Sequence, residues 1–272
     1  MNSVGLIATD IDGTMIRSDG TLSARVKAAM HAAVSAGIPV VPATGRPMVI
    51  AHDVIEAAEL HSYWIFANGA VTRHMGRDEL VRGFWLEQQV AESIVSTLRD
   101  VLPEIGFAVE FETDVAFEKG FEAVVPMTPD HPPIADISEI FSPEFGGSTK
   151  RIQKVLAYDL STSIDELYQR ITEAVGESAV ASYSGLPFIE LAAGQVTKAT
   201  ALSLLASDLG IEQSRVVAFG DNHNDIPMLE WAGTSYAMAN ATDDAKAAAN
   251  EVIASNDDDG VALKIEELLE QN

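Results

Sequence analysis

The chain has 272 residues, 17 basic against 41 acidic side chains, a formal net charge of −24 and no cysteine. Without thiols there is no disulfide framework, no thiolate nucleophile and no Cys-ligated zinc, which leaves oxygen-ligand metals. The acidic field repels polyanions, no apolar run reaches the roughly 18 residues of a membrane span, and residues 1–10 hold no basic flank ahead of an apolar stretch, so the expectation is a cytoplasmic protein with neither nucleic acid nor membrane as partner.

Residues 4–9 read as a buried strand, 22–36 as an Ala-rich helix stopped by Gly37, 38–42 as a second strand, 47–58 as a helix opened by Pro47, and 63–67 as a third strand. Short apolar strands alternating with helices predict right-handed crossovers and a parallel sheet covered on both faces. The middle reads differently. Candidate strands lie at 107–111, 115–117, 123–125, 152–157 and 179–183, helices near 88–102 and 164–175, and turn-rich stretches at 126–133 and 142–147. The first rhythm then returns, with helices at 197–209, 225–231 and 243–249, strands at 215–219, 235–238 and 252–254, and a closing helix from Gly260. The expected fold is α/β: residues 1–84 and 189–272 build one parallel-sheet core, interrupted by an inserted α+β domain at 85–188. Acidic residues outnumber basic ones in both parts, so charge marks no boundary. Lys150, Arg151 and Lys154 cluster in the insertion and read as solvated surface.

Asp10-Ile11-Asp12-Gly13-Thr14 follows the first strand directly. Residues two apart on an extended segment point the same way, which puts Asp10 and Asp12 on one face at the strand's carboxyl end, where open α/β sheets place their ligands. Gly13 lets the chain turn and brings backbone N–H groups toward an anion; an acidic calcium-type loop or a plain turn also fits this pentapeptide. Gly220-Asp221-Asn222-His223-Asn224-Asp225 again follows an apolar strand and precedes a helix. Four carboxylates at one sheet edge need a cation, and an oxygen-only, partly hydrated site suits Mg2+. Taken singly, Asp225 is a helix N-terminal acid, and Asn222 and Asn224 are turn amides. Thr44-Gly45-Arg46 offers a hydroxyl and free N–H groups to an anion, or merely a helix cap in Thr44. Lys198 opposes the dipole of the helix it opens, which leaves a phosphate contact and a plain surface lysine as its two readings. Trp64, Trp85 and Trp231 read as packing residues, and His223 is given no catalytic role.

In order along the chain, Asp10 to Thr14, Thr44 to Arg46, Asn68-Gly69-Ala70, Glu190 to Lys198 and Gly220 to Leu229 resemble the motifs of the haloacid dehalogenase superfamily, in its Cof-type branch of capped phosphatases. Asn256 to Val261 resembles that family's C-terminal end. The resemblance implies a Rossmann-like core with an inserted cap domain. It implies a Mg2+-dependent phosphomonoester hydrolase of a small phosphorylated metabolite, a sugar phosphate or cofactor-precursor phosphate, working through an aspartyl-phosphate. Asp10 is then the nucleophile and Asp12 the acid and later the base. Thr44, Lys198 and the N–H groups around Asp12, Gly13 and Gly45 hold the phosphoryl oxygens. Mg2+ is expected on Asp10, the Asp12 carbonyl oxygen and Asp221, with Asn224, which also borders the substrate, or Asp225 as further ligand or orienter. Arg46 and Asn68 are expected near the bound phosphate or the cap junction. A phosphomutase of related architecture needs a second cationic anchor in the acid-rich insertion, and a non-catalytic phosphometabolite sensor has no use for a nucleophile paired with an acid. A monomer or weak homo-oligomer is the expected state.

Overall fold

The computed structural model describes residues 3–125, 133–142, 145 and 150–271, which leaves most of the expected turn-rich stretches at 126–133 and 142–147 outside the described residues. The chain divides into two compact units, one made of Met1–Arg46, Ile50–Gly83 and Thr197–Asn272, the other of Pro47–Val49 and Phe84–Val196.

The first unit opens with β1 (Leu6–Thr9), buried throughout, as an apolar strand covered on both faces must be. In α1 (Ala24–Ser35) the Ser23 hydroxyl accepts from Val26 N at 3.0 Å as N-cap, and Val26, Ala29, Met30 and Ala33 form one buried stripe at helical spacing. β2 (Val40–Pro42) follows. The helix expected over 47–58 is split into a 3-10 turn, Met48–Ile50, and α2 (His52–Ala58), with Ala51 at φ −91°, ψ 4° between them. β3 (Tyr63–Phe66), expected as a full member of the parallel sheet, meets that sheet at the Ala43–Ile65 bridge. Its main pairing is antiparallel, with β4 (Val71–His74), which pairs antiparallel in turn with β5 (Glu79–Gly83), and the sequence pattern announces neither strand.

The second unit contains α3 (Gln88–Val101), β6 (Gly106–Phe111), β7 (Val115–Phe117), α4 (Ile137–Ile140), β8 (Ile152–Tyr158), α5 (Ile164–Val175), β9 (Ala179–Ser182) and β10 (Ile189–Ala193). Among the described residues its strands form a five-stranded antiparallel sheet in the order β7-β6-β8-β10-β9. Ile94 and Leu98 of α3 and Leu167 and Ile171 of α5 share a core with Val109 and Val155 on one sheet face. Residues 123–125 are not the expected strand: Gly120, at φ +105°, leads instead into a 3-10 turn over Phe121–Ala123. Residues 189–193, expected to reopen the core, pair with β8 and β9, so the first unit resumes at Thr197. Lys154 corrects the reading of a solvated basic cluster. It is buried, with Nζ 3.0 Å from Glu110 Oε2 and bonded to Glu190 Oε2, while Glu190 Oε1 accepts from Ser184 Oγ at 2.7 Å. Burial pushes Glu110 up to about 7.

α6 (Lys198–Asp208), β11 (Val216–Gly220), α7 (Ile226–Trp231), β12 (Thr234–Met238), α8 (Asp243–Ala248), β13 (Glu251–Ile253) and α9 (Gly260–Gln271) complete the first unit. Its main sheet is parallel throughout, ordered β13-β12-β11-β1-β2. The chain leaves β1 toward β2 in one direction and β11 toward β12 in the other, so the order reverses between β1 and β11, the place where such sheets bind ligands. Asp10 N donates to Phe219 O at 3.0 Å and Ala43 N to Thr9 O at 2.8 Å, so the three strands end level at this edge.

Candidate active site

The loops leaving β1 and β11 interlock. Gly13 turns the first of them at φ +78°, and a Cβ in its place would run into the Asp221 carboxylate of the second. Thr14 Oγ1 donates to Asp221 Oδ1 at 2.9 Å. Asn240 Nδ2 donates to Gly13 O at 2.8 Å, Asn256 Nδ2 donates to Ile16 O at 2.9 Å, and Asn256 N donates to Asn240 Oδ1 at 3.1 Å, so two later segments pin the turn after β1. Sequence reasoning assigned no role to Thr14, Asn240 or Asn256. Thr14 and Asn256 stand inside segments that resemble the family, whereas no local pattern marks Asn240.

Lys198 is fully buried. Thr197 and Thr200 exchange side-chain and backbone hydrogen bonds in a capping box that fixes the start of α6 and makes Lys198 its first residue. Nζ bonds Asp10 Oδ1 and lies 2.6 Å from Asp225 Oδ1, so two carboxylates supply what a helix N-terminus denies a cation. Burial works against its charge, yet Asp10 and Asp225 outweigh burial and hold the ammonium above the usual lysine range. Asp225 is fully engaged from the other side as well, Oδ2 accepting from Asp221 N and Asn222 N at 3.0 Å each.

Asp10, Asp221 and Asp225 are all buried, and each offers an oxygen within 4.8 Å of the others. Burial, then the Asp225 charge, raises Asp10 well above the ordinary carboxylate range against the pull of Lys198, and the same two causes raise Asp221 to about 7. Three buried carboxylates against one ammonium form a net-negative, oxygen-lined site, which fits a hard divalent cation.

Asp12 stands apart from this trio. Arg46 Nε donates to Asp12 Oδ2 at 2.8 Å and its second nitrogen bonds Asp12 Oδ1, so the side chain expected beside a phosphate or at the junction grips the Asp12 carboxylate. Thr44 caps no α-helix, since α2 begins at His52; across Gly45 its hydroxyl accepts from Arg46 N at 3.0 Å. Ala67, Asn68 and Gly69 have φ of +50°, +55° and +105°, three left-handed residues in succession. This turn gathers the site's loops. Asn68 N donates to Thr44 O at 2.9 Å, Ala67 N donates to Arg46 O at 3.0 Å, and Asn224 Nδ2 donates to Asn68 Oδ1 at 3.0 Å. A Cβ on Gly69 would strike Thr197 O.

Comparison with known proteins agrees with this geometry. A family model described as haloacid dehalogenase-like hydrolase matches residues 7–265. The chain is 31% identical over 276 residues to the protein YxeH of Bacillus subtilis (strain 168), covering 97% of this chain and 98% of that one. It is 28% identical over 288 residues to the 5-amino-6-(5-phospho-D-ribitylamino)uracil phosphatase YwtE of the same organism, covering 97% of each. Among solved structures, SMU.1108c from Streptococcus mutans UA159 superposes with a TM-score of 0.84 at 26% identity over 98% of this chain and 100% of that one. A haloacid dehalogenase-like hydrolase from B. subtilis superposes with a TM-score of 0.84 at 25% identity over 97% and 100%. With the motif-bearing loops meeting at one sheet edge and a family match running almost from end to end, the chain belongs to the haloacid dehalogenase-like hydrolases.

Proposed function

We propose that this hydrolase is a Mg2+-dependent phosphatase of small phosphomonoesters, sugar phosphates or cofactor-precursor phosphates, acting through an aspartyl-phosphate on Asp10. The observation that carries the reading is the convergence of Asp10, Asp221 and Asp225 around buried Lys198. Asp10 and Asp221 would hold Mg2+ together with the Asp12 carbonyl, while Asp225, engaged by Lys198 and two backbone N–H groups, orients the set. Bound there, Mg2+ supplies positive charge to the transferring phosphoryl oxygens.

Asp10 attacks phosphorus in line as the bond to the alcohol oxygen breaks, and Asp12 delivers a proton to that oxygen. Asp12 then takes a proton from water, which attacks the phosphorus and breaks the bond to Asp10, releasing phosphate. Lys198, the Thr44 hydroxyl and the N–H groups around Gly13 and Gly45 hold the phosphoryl oxygens; such positioning and charge carry most of the catalysis of phosphoryl transfer. The relatives named as phosphatases of a phosphoribityl compound, YwtE and YitU of B. subtilis, support a phosphorylated small-molecule substrate. A phosphomutase needs a further cation to anchor its second phosphate, but Lys154 is already matched by Glu110 and Glu190. Among the described residues no helix is long and apolar enough to cross a membrane. A cytoplasmic monomer or weak homo-oligomer without nucleic-acid partners accords with the charge of −24.

With a nitrophenyl phosphate, turnover is expected to vanish in EDTA, return with Mg2+, and be lost in Asp10→Asn; undiminished turnover in that variant would refute the covalent route. A hexose phosphate should release inorganic phosphate, whereas an isomeric sugar phosphate formed without phosphate release would identify a mutase.

A further inference from the structure

We propose that Arg46 is the positioning residue of Asp12 and does not serve as a ligand for the substrate's phosphate. The inference rests on the reading of Asp12 as acid and base. The backbone of Arg46 is fastened on both sides, its N–H held by the Thr44 hydroxyl at 3.0 Å and its carbonyl accepting from Ala67 N at 3.0 Å, within the left-handed turn. From that mount the guanidinium reaches both oxygens of Asp12, with Nε 2.8 Å from Oδ2. A fork on two oxygens fixes the plane of a carboxylate as well as its distance, which a single ammonium cannot do.

Asp12 needs such a hold. Its side chain is 46% exposed, so packing does not select its rotamer, and the fork supplies the hold that packing does not. The two nitrogens that face Asp12 are committed to it, and an arriving phosphate finds that edge of the guanidinium filled. A half-exposed pair of this kind contributes little to folding, and Arg46→Ala should fold normally.

The test compares kcat/KM for a nitrophenyl phosphate, whose leaving group needs no proton, with kcat/KM for a hexose phosphate, whose leaving group does. Asp12→Asn should lose roughly 10²–10⁴-fold on the hexose phosphate and far less on the nitrophenyl ester. Arg46→Ala should show the same selectivity at roughly tenfold or more, Arg46→Lys should recover part of it, and inhibition by inorganic phosphate should stay within about twofold of wild type. Equal losses on both esters, or a weakened phosphate inhibition that tracks them, would make Arg46 a substrate ligand and overturn the inference. Selectivity in Asp12→Asn without selectivity in Arg46→Ala would overturn it while sparing the proposed chemistry. Absence of selectivity in Asp12→Asn would overturn both.

Discussion

Asp221 in the folded chain holds its proton up to about 7 because of burial and the neighbouring Asp225, whereas its ordinary value is 3.8. The folded state therefore binds protons that the unfolded state has released, and the stability this group contributes is complete below 3.8 and lost as pH rises through about 7. In EDTA the thermal midpoint should fall between about pH 5 and pH 8, and Mg2+ should raise it more at the alkaline end, where no proton must be displaced. Asp221→Asn should flatten both trends, as calorimetry at several pH values would show. Asp10, Asp221, Asp225 and Lys198 were legible as residues because each stands in a short motif beside an apolar strand or a helix start. The grip of Arg46 on Asp12 was not, because it depends on how far one side chain reaches between two loops separated by 33 intervening positions of chain.

The turn at Ala67–Gly69 shows how an element can matter more than any of its side chains. Gly69 at φ +105° lies against the Thr197 carbonyl, directly ahead of Lys198. Gly69→Ala should cost roughly 1–3 kcal/mol in urea denaturation through backbone strain and that clash. By displacing the start of α6 it should lower kcat more than it changes KM; an unchanged kcat would show that α6 does not depend on this turn. The parallel strands were readable because short apolar runs bounded by turns and helices leave few alternatives. β4 and β5 were not, since Val71–His74 and Glu79–Gly83 mix polar and apolar residues and β5 is exposed or half-buried throughout. Residues 123–125 misled for the opposite reason: an apolar stretch lies inside a turn that Gly120 initiates.

At the scale of the molecule, each unit has its own main sheet and a lysine buried almost completely, Lys198 in the first and Lys154 in the second. Lys154→Met leaves Glu110 and Glu190 buried without their counter-charge and should destabilise the second unit by about 3–5 kcal/mol. Hydrogen exchange should then quicken in β6, β8 and β10 while β1 and β11 keep their protection. Glu110→Gln should act in the other direction at alkaline pH, because Glu110, ordinarily at 4.5, holds its proton up to about 7, and its contribution is present below 4.5 and lost as pH climbs through about 7. The division of the chain was visible in the change of rhythm after the third strand, but its far edge was not. β10 is as apolar as a core strand, and sequence does not say which sheet a strand will join.

The neighbour relation of β1 and β11 also has a consequence in time. Leu6 lies beside Val216, so the central pairing of this sheet must wait until Val216 has been synthesised. The stretch 84–196, unbroken in sequence, is free to collapse while the first strand is still without this partner. Nascent chains arrested short of residue 216 should therefore acquire a protease-resistant middle and no capacity to turn over phosphate esters, and the two properties should emerge in that order during synthesis.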